Sequence, residues 1–567
     1  MAHYDILISG GTVVDGLRTP RFTADVAIEG GRIALIGDAG SADADRVIDA
    51  RGLIVCPGFV DLHTHYDSQI FWDPYCTISG WHGVTSVVIG NCGFGFAPVR
   101  PADRERAMLT MERNEAVRAT TMAAGMPWDW ESYPEFLDSL ERTPKGLNLL
   151  SYVGLNPLMT YVMGLESAKS RPATRSERTE MARILGEALD AGGCGFSAQL
   201  LGPNSVQRDH DGSPMITDTM SSDDLLFFAE VLRQGKRGCI QVIGADRELT
   251  EALCETSGRP VIWNALVLAA DQHGNTYGEF RDVIRWIDAA NARGHRVFAQ
   301  ALTCQNNYEF SLDEWNLFDS IPAWREVTMG TPAQRMEKMR DPEHRSRLRA
   351  SFDPKRTVVG ATVTAIPDLV VAEVGDPGLE THVGFSIGEI AEALDLHPID
   401  AMLDIALADE LRTRFVTPPQ EIDMEAMREV VNSDFALPGV SDGGAHMKFV
   451  TLGRYPTEFL SLLVRENGLM DLEQAHWRLS AYPAMAAGIR DRGFLRQGAP
   501  ADVLVYDLAQ LRVLPSERLH DFPAGDWRLA CRASGYRFVL VNGEITFEDG
   551  VCTGASPGRL LRHGQSA

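Results

Sequence analysis

The stretch "VDLHTHYDSQIFWDP", residues 60–74, decides how this chain is read. An apolar run ends in two histidines one residue apart, His63 and His65, and a polar, aromatic loop follows. Residues i and i+2 of a strand share a face, so both imidazoles point the same way. A strand followed by a polar loop puts them at its C-terminal end, where a barrel of alternating strands and helices carries its active site. Two imidazoles on one face begin a metal site, but two histidines alone also suit a buried structural pair.

Outward from this strand the chain alternates. "GFVDLHTH", "GVTSVVIGNC", "LNLLSYVGL", "GCGFSAQLL", "GCIQVIG", "PVIWNALV", "HRVFAQALT" and "FALPGVSD" read as eight strands. Helical stretches lie between them, among them "SERTEMARILGEALDAG", which opens on Ser176 and closes on Gly192 as capping requires. Eight strands alternating with helices predict an α/β fold, a (β/α)8 TIM-type barrel, over residues 57–491. Residues 307–355 are polar and rich in Trp and Arg, and read as a helical excursion or lid. The two ends differ from the middle. "DILISGGTVVDG", "ADVAIEGGRIALIGD", "GAPADVLVYD" and "RFVLVNGEITFEDGVCTG" alternate apolar and polar residues around Gly-Gly pairs and other turn signals. They predict one small, discontinuous β-sandwich domain from residues 1–56 and 492–567.

The 567 residues carry 53 Lys and Arg against 78 Asp and Glu, a net charge of −25. That sign argues against nucleic acid and against anionic membrane surfaces as partners. Nine cysteines without a C-x-x-C pair read as reduced thiols of a cytoplasmic protein. No apolar run approaches the ~18 residues a membrane span needs.

Two further motifs carry chemistry. In "SDGGAH", residues 441–446, Asp442 follows the last strand and can serve as metal ligand and proton acceptor, or simply form an Asp-Gly turn. In "VVIGNCGFGFAP", residues 87–98, the glycine spacing is not that of a phosphate loop. Cys92 ends a Val/Ile-rich strand, either as an inert buried thiol or as a sulfur facing the same mouth.

"PGFVDLHTHYD", "HGVTSVVIGNCGFGFAP", "ALDAGGCGFS", "VSDGGAH", "DRGFLRQGAPADVLVYD" and "VLVNGEITFEDGVCTGASPGRLLR" occur in that order. Together they resemble the amidohydrolase superfamily, and within it the N-acyl-D-amino-acid deacylase (D-aminoacylase) group, over residues 5–562. The resemblance implies a metal-dependent hydrolase with His63 and His65 as ligands. Cys92 matches a bridging or tight-site cysteine, and Asp442 an aspartate that binds metal and shuttles the proton.

The sequence also departs from that pattern. Trp263–Asn264 and Gln300 stand where relatives keep fifth- and sixth-strand histidines. The fourth strand has no lysine, and Lys169 and Lys448 read as structural. Three arrangements follow: one metal on His63, His65 and Asp442 with Cys92 or water; recruitment of His273 or His446 from a loop; or a degraded site. "GRYPTEFL" replaces a His-Pro-Arg stretch, leaving Arg454 as a candidate for a substrate carboxylate or a surface arginine.

The expectation is a metal-dependent amidohydrolase cleaving a non-peptide C–N bond of a small-molecule amide such as an N-acyl amino acid. Asp442 acts as base and acid, and a divalent metal, zinc foremost, is bound as one ion or two, with one favoured. His446, Asn264, Gln300 and Arg454 are the substrate-binding candidates. A cyclic amide, carbamate or ester substrate, and a metal-depleted binding protein, are the alternatives. A homo-oligomer is the general expectation for such an enzyme.

Overall fold

A computed structural model describes residues 3–564, except 206, 271–275, 278, 306, 315–317, 319–320, 355–356, 360–361 and 419–421. Eight parallel strands organise its centre: β1 (Phe59–Asp61), β2 (Val84–Ile89), β3 (Asn148–Ser151), β4 (Gly195–Gln199), β5 (Cys239–Ile243), β6 (Val261–Leu266), β7 (Val297–Ala301) and β8 (Ala436–Pro438). β1, β2 and β3 pair in that order. Val153–Gly154 continues β3 and pairs with β4, and β4 to β8 pair successively. Past β8, Gly443 makes a parallel bridge to Thr64, just beyond β1. Here His65 N–H donates to the Gly443 carbonyl at 2.6 Å, and Ser441 Oγ donates to the His63 carbonyl at 2.8 Å. The last strand's continuation therefore lies against the first.

The strands are buried on both faces, which is why they read as apolar runs rather than clean alternations. Helices cover them. One spans Arg175–Ala191, capped by Thr174, whose hydroxyl accepts from Glu177 N–H in a capping box; Ser176 lies one residue inside the helix. Gly192, in the left-handed region, ends it as expected. Met181, Ile184, Leu185, Ala188 and Leu189 form its buried stripe.

Between β7 and β8 the chain makes its longest excursion. Helices Pro322–Thr328, Pro332–Arg340 and Pro342–Ala350 fall within 307–355. The excursion continues beyond that range, and Glu309–Phe310, Arg414–Val416 and Val370–Glu373 form a small antiparallel sheet. Trp324 is buried there, stacked on Phe318 at 4.6 Å.

Both termini meet in one nine-stranded sheet, joined where Val503–Tyr506 pairs antiparallel with Ile54–Pro57. The Gly-Gly pairs in it behave differently. Gly30 and Gly31, at φ 57° and 77°, make the two-residue turn between Phe22–Glu29 and Arg32–Gly37. Gly10–Gly11 makes no turn; the strand His3–Val13 runs through it with a register shift between Ile8 and Gly11.

A buried polar knot fastens this sheet to β3. Asp502 Oδ2 accepts from Arg492 Nη1 at 2.7 Å and from Asn148 Nδ2 at 2.9 Å, and its Oδ1 accepts from Asn542 N–H at 2.8 Å. Asn542 Nδ2 donates to Asn148 Oδ1 at 2.9 Å. Removing one partner of a buried ion pair leaves the other charge uncompensated. Asp502→Ala is expected to cost about 3 kcal/mol, read as a lower urea midpoint. Asp491→Ala, which removes only the exposed neighbour 3.7 Å from Arg492, is expected to leave the midpoint unchanged.

Candidate metal centre

The β1 strand, the β2 loop and the β8 loop bring the predicted residues together. The ligand atoms of His63, His65 and Cys92 lie within 4.8 Å of one another, all buried. His63 Nε2 is 3.4 Å from Cys92 Sγ and 3.1 Å from Asp442 Oδ1; His65 Nε2 is 3.7 Å from the same oxygen. Asp442 is the open member, with 19% of its side chain exposed against 1% for His63.

Amides hold His63 from behind. Its Nδ1 is 2.8 Å from Asn264 Nδ2 and 3.4 Å from Gln300 Oε1, so Nε2 alone faces the cluster. The amides form a chain. Cys92 N–H donates to Gln241 Oε1 at 2.7 Å, and Gln241 Nε2 donates to Asn264 Oδ1 at 3.0 Å. Asn264 Nδ2 donates to Gln300 Oε1 at 3.0 Å, and Gln300 Nε2 to the Gly439 carbonyl at 2.9 Å.

This corrects one expectation. In chain order the fifth parallel strand carries Gln241; Asn264 stands on the sixth and Gln300 on the seventh. Asn264 and Gln300 spend their polar atoms on His63, on Gln241, on Gly439 and on each other, and so brace the His63 ring. Trp263 faces away, donating to the Ala245 carbonyl and packing on Trp286.

Burial governs the electrostatics. Burial and the neighbouring His63 charge lower the His65 pKa to about 3. Burial raises the Cys92 thiol, and His63 opposes it. Burial also pushes Asp442 up, but the hydrogen bond and charge of His63, with His446 and His65, hold it below the usual carboxylate range. Burial raises Asp61 and Asp67, beneath the cluster, to about 7.

The structure adds a residue the sequence did not flag. Glu115 ends helix α1 (Arg104–Glu115) and is 1% exposed. Its Oε1 lies 3.6 Å from His65 Nδ1 and its Oε2 3.6 Å from His446 Nε2. Burial, then Asp442, raise its carboxyl well above the ordinary value. No local pattern in "MERNEAV" announces it.

Of the other candidates, His446 faces the cluster through Glu115. Arg454 does not: its Nε pairs with Glu458 at 3.2 Å and its Nη2 donates to the Gln305 carbonyl at 2.8 Å. Lys169 pairs with Asp209 and Asp211, and Lys448 with Asp526 over the Trp527 ring, as structural residues do. His273 lies outside the described residues.

A cavity of about 100 Å³ opens beside the cluster, starting at Phe94, whose ring is 6.3 Å from His65. Val99, Met111, Met215 and Ile216 make its wall largely apolar, with Asp103, Arg106, Asn156 and Asp209 among its polar members.

Residues 46–547 match the profile of the amidohydrolase family. The chain belongs to that family. Among similar proteins, this amidohydrolase is 28% identical to an N-acyl-D-glutamate deacylase of Alcaligenes xylosoxydans xylosoxydans, over 99% of this chain and 97% of that protein. It is 25% identical to the D-aminoacylase of the same organism, over 98% and 97%. An uncharacterised protein of Mycobacterium tuberculosis is 28% identical over 90% and 85%. In fold, the amidohydrolase matches the zinc and phosphonate complex of an N-acyl-D-glutamate deacylase from Bordetella bronchiseptica, with a TM-score of 0.67 and 23% identity. That match covers 99% of this chain and all of the other. Its α/β architecture is thus shared along the full length.

The amide chain predicts a stability effect at a distance from any ligand. Gln241→Ala strips a buried acceptor from Cys92 N–H and a buried donor from Asn264 Oδ1. At about 1–3 kcal/mol per orphaned group, a loss of about 2–6 kcal/mol is expected in urea unfolding.

Proposed function

We propose that this amidohydrolase cleaves the amide bond of an N-acyl amino acid, with His63, His65 and Cys92 holding one divalent metal ion beside Asp442. The observation that carries the reading is the convergence of His63, His65 and Cys92, with Asp442 Oδ1 beside both imidazoles. The donor set fits zinc: a sulfur, two imidazoles and a carboxylate are the ligand types it takes. Tetrahedral ligands about 2.0–2.3 Å from zinc stand about 3.3–3.8 Å apart; the separations of 3.4 and 3.7 Å here fall in that range and that of 3.1 Å just below it. The architecture we propose is the (β/α)8 barrel, residues 57–491, with a β-sandwich from residues 1–56 and 492–567 and a helical lid over 307–355. The successive pairing of β1 to β8 and the Thr64–Gly443 bridge support the barrel, and the shared terminal sheet supports the second domain.

The metal, when bound, lowers the pKa of water toward ~7 and polarises a carbonyl. Asp442, held charged by its histidine neighbours, accepts the proton of the attacking water and returns it to the leaving nitrogen. Asn264 and Gln300 fix the His63 ring so that Nε2 stays aimed at the cluster. His446, 13% exposed on the same open side as Asp442, contacts the substrate. The apolar cavity beside Phe94 receives an apolar part of it. The deacylases among the relatives support an N-acyl amino acid. The cytoplasm, which keeps thiols reduced, suits nine cysteines that form no disulfide.

Two experiments test this reading. Protein purified without chelator is expected to hold about one zinc equivalent, and the His63→Ala/His65→Ala protein less than about a tenth of one. Equal metal in both would reject the site. Asp442→Asn is expected to retain metal while kcat falls about 10²–10⁴-fold on whichever N-acyl-D- or L-amino acid the wild type cleaves. Near wild-type turnover would remove Asp442 from the proton transfer.

A further inference from the structure

Glu115 is placed where stability alone does not put a carboxyl group. It is 1% exposed, and neither of its oxygens has a hydrogen-bond partner among the described residues. A buried carboxyl in that state is costly. It also ends a helix, where the backbone dipole disfavours negative charge. Yet the backbone locks it in place. Ala116 turns the helix off in the left-handed region at φ 57°, and the Glu115 carbonyl accepts from His446 N–H at 2.7 Å. The carboxyl is thereby wedged between two imidazoles, 3.6 Å from His65 Nδ1 on one side and 3.6 Å from His446 Nε2 on the other. His65 turns its other nitrogen, Nε2, toward Asp442 and the cluster.

We infer that Glu115 is a positioning residue of the metal centre, accepting the Nδ1 proton of His65 so that Nε2 is left bare to bind the ion, and tethering His446 to the same carboxylate. This rests on the metal reading given above. An imidazole that binds a cation through one nitrogen becomes a stronger donor at the other, so a carboxylate there orients the ring and raises its basicity as a ligand. The wedge also couples the two halves of the site. One oxygen serves the β1 histidine and the other the loop that carries Asp442, so metal binding at His65 and the pose of His446 depend on one side chain. A small closure from 3.6 Å brings each contact to hydrogen-bonding distance.

The test compares the full-length wild type with Glu115→Gln and Glu115→Ala. Zinc affinity is measured by chelator competition, and thermal stability on the zinc-stripped proteins. Glu115→Gln keeps the shape and removes the charge. It is expected to weaken zinc binding about 10-fold and Glu115→Ala up to about 100-fold, with the zinc-free melting temperature of Glu115→Gln held within about 2 °C. The d–d spectrum of the cobalt-loaded Glu115→Gln protein is expected to shift as the His65 ring reorients. Zinc affinity within twofold of wild type in Glu115→Gln would overturn the inference. So would a parallel fall in affinity and zinc-free melting temperature, which marks a merely structural role. If Glu115→Ala does not fold, Glu115→Gln decides alone. A wild type that binds no zinc fails the metal reading itself, an outcome distinct from equal binding by wild type and variant.

Discussion

The chain of buried amides that runs from Cys92 N–H through Gln241, Asn264 and Gln300 to the Gly439 carbonyl is the constraint on which the site depends. The interior of a closely packed parallel sheet offers no water, so each polar group there needs a protein partner. Both ends of the chain are backbone groups of fixed polarity: Cys92 can only donate and Gly439 only accept. That fixes which way each of the three amides points. Register makes the chain reach. Asn264 and Gln300 are paired across β6 and β7, and Gln241 stands two residues before the partner of Asn264 on β5. Strands about 4.8 Å apart let such side chains meet. The loops that carry Cys92 and Asp442 are thereby tied to the same three strands.

Those loops hold strain where the chemistry is. Cys92, Asp442 and His446 adopt φ of 57°, 47° and 57°, a left-handed conformation that residues other than glycine seldom take. Such geometry persists only where the surroundings over-determine it. For Cys92 the fixing contact is the Gln241 amide; for His446 it is the Glu115 carbonyl. The glycines around them do different work. A Cβ on Gly443 would lie 2.7 Å from the Tyr66 hydroxyl, and one on Gly444 would lie 2.7 Å from the His65 carbonyl. The "SDGGAH" loop is glycine-rich because it presses against the strand that carries the histidines.

This division explains what could be read from the sequence. The eight strands were legible because each is a short apolar run bounded by turns. His63, His65, Cys92 and Asp442 were legible because they end such runs, and strand ends of this fold point at one mouth. Glu115 and Gln241 were not. Glu115 follows Met108 and Met111 on the buried stripe of its helix, and that spacing says nothing of what a carboxyl there would face. Gln241 sits inside "CIQVI", where one polar residue in an apolar strand marks a buried hydrogen bond without naming its partner. Arg454 was open for the converse reason: a lone arginine after the last strand does not show its partner, and here Glu458, one helical turn on, pairs with it. The antiparallel sheet of the long excursion was hidden because its strands are two to four residues long, too short to show a period.

The distribution of charge around the cluster bears on how many ions it holds. On the side of β5 and β6 the side chains facing His63 are neutral amides, and the Asn264 N–H group points at the ring. A cation placed there meets a donor rather than a ligand, and turning the Asn264 amide over would set its N–H against the Gln241 N–H. On the opposite side stand Asp442, Cys92 and Glu115, three groups that can each carry negative charge, within reach of His63, His65 and His446. Burial above all, and the neighbouring Asp442 charge with it, push Glu115 and Cys92 toward their neutral forms. A single divalent cation held by His63, His65 and Cys92 beside Asp442, as proposed, would relieve the repulsion between these groups, and a second on the amide side would have nothing comparable to relieve.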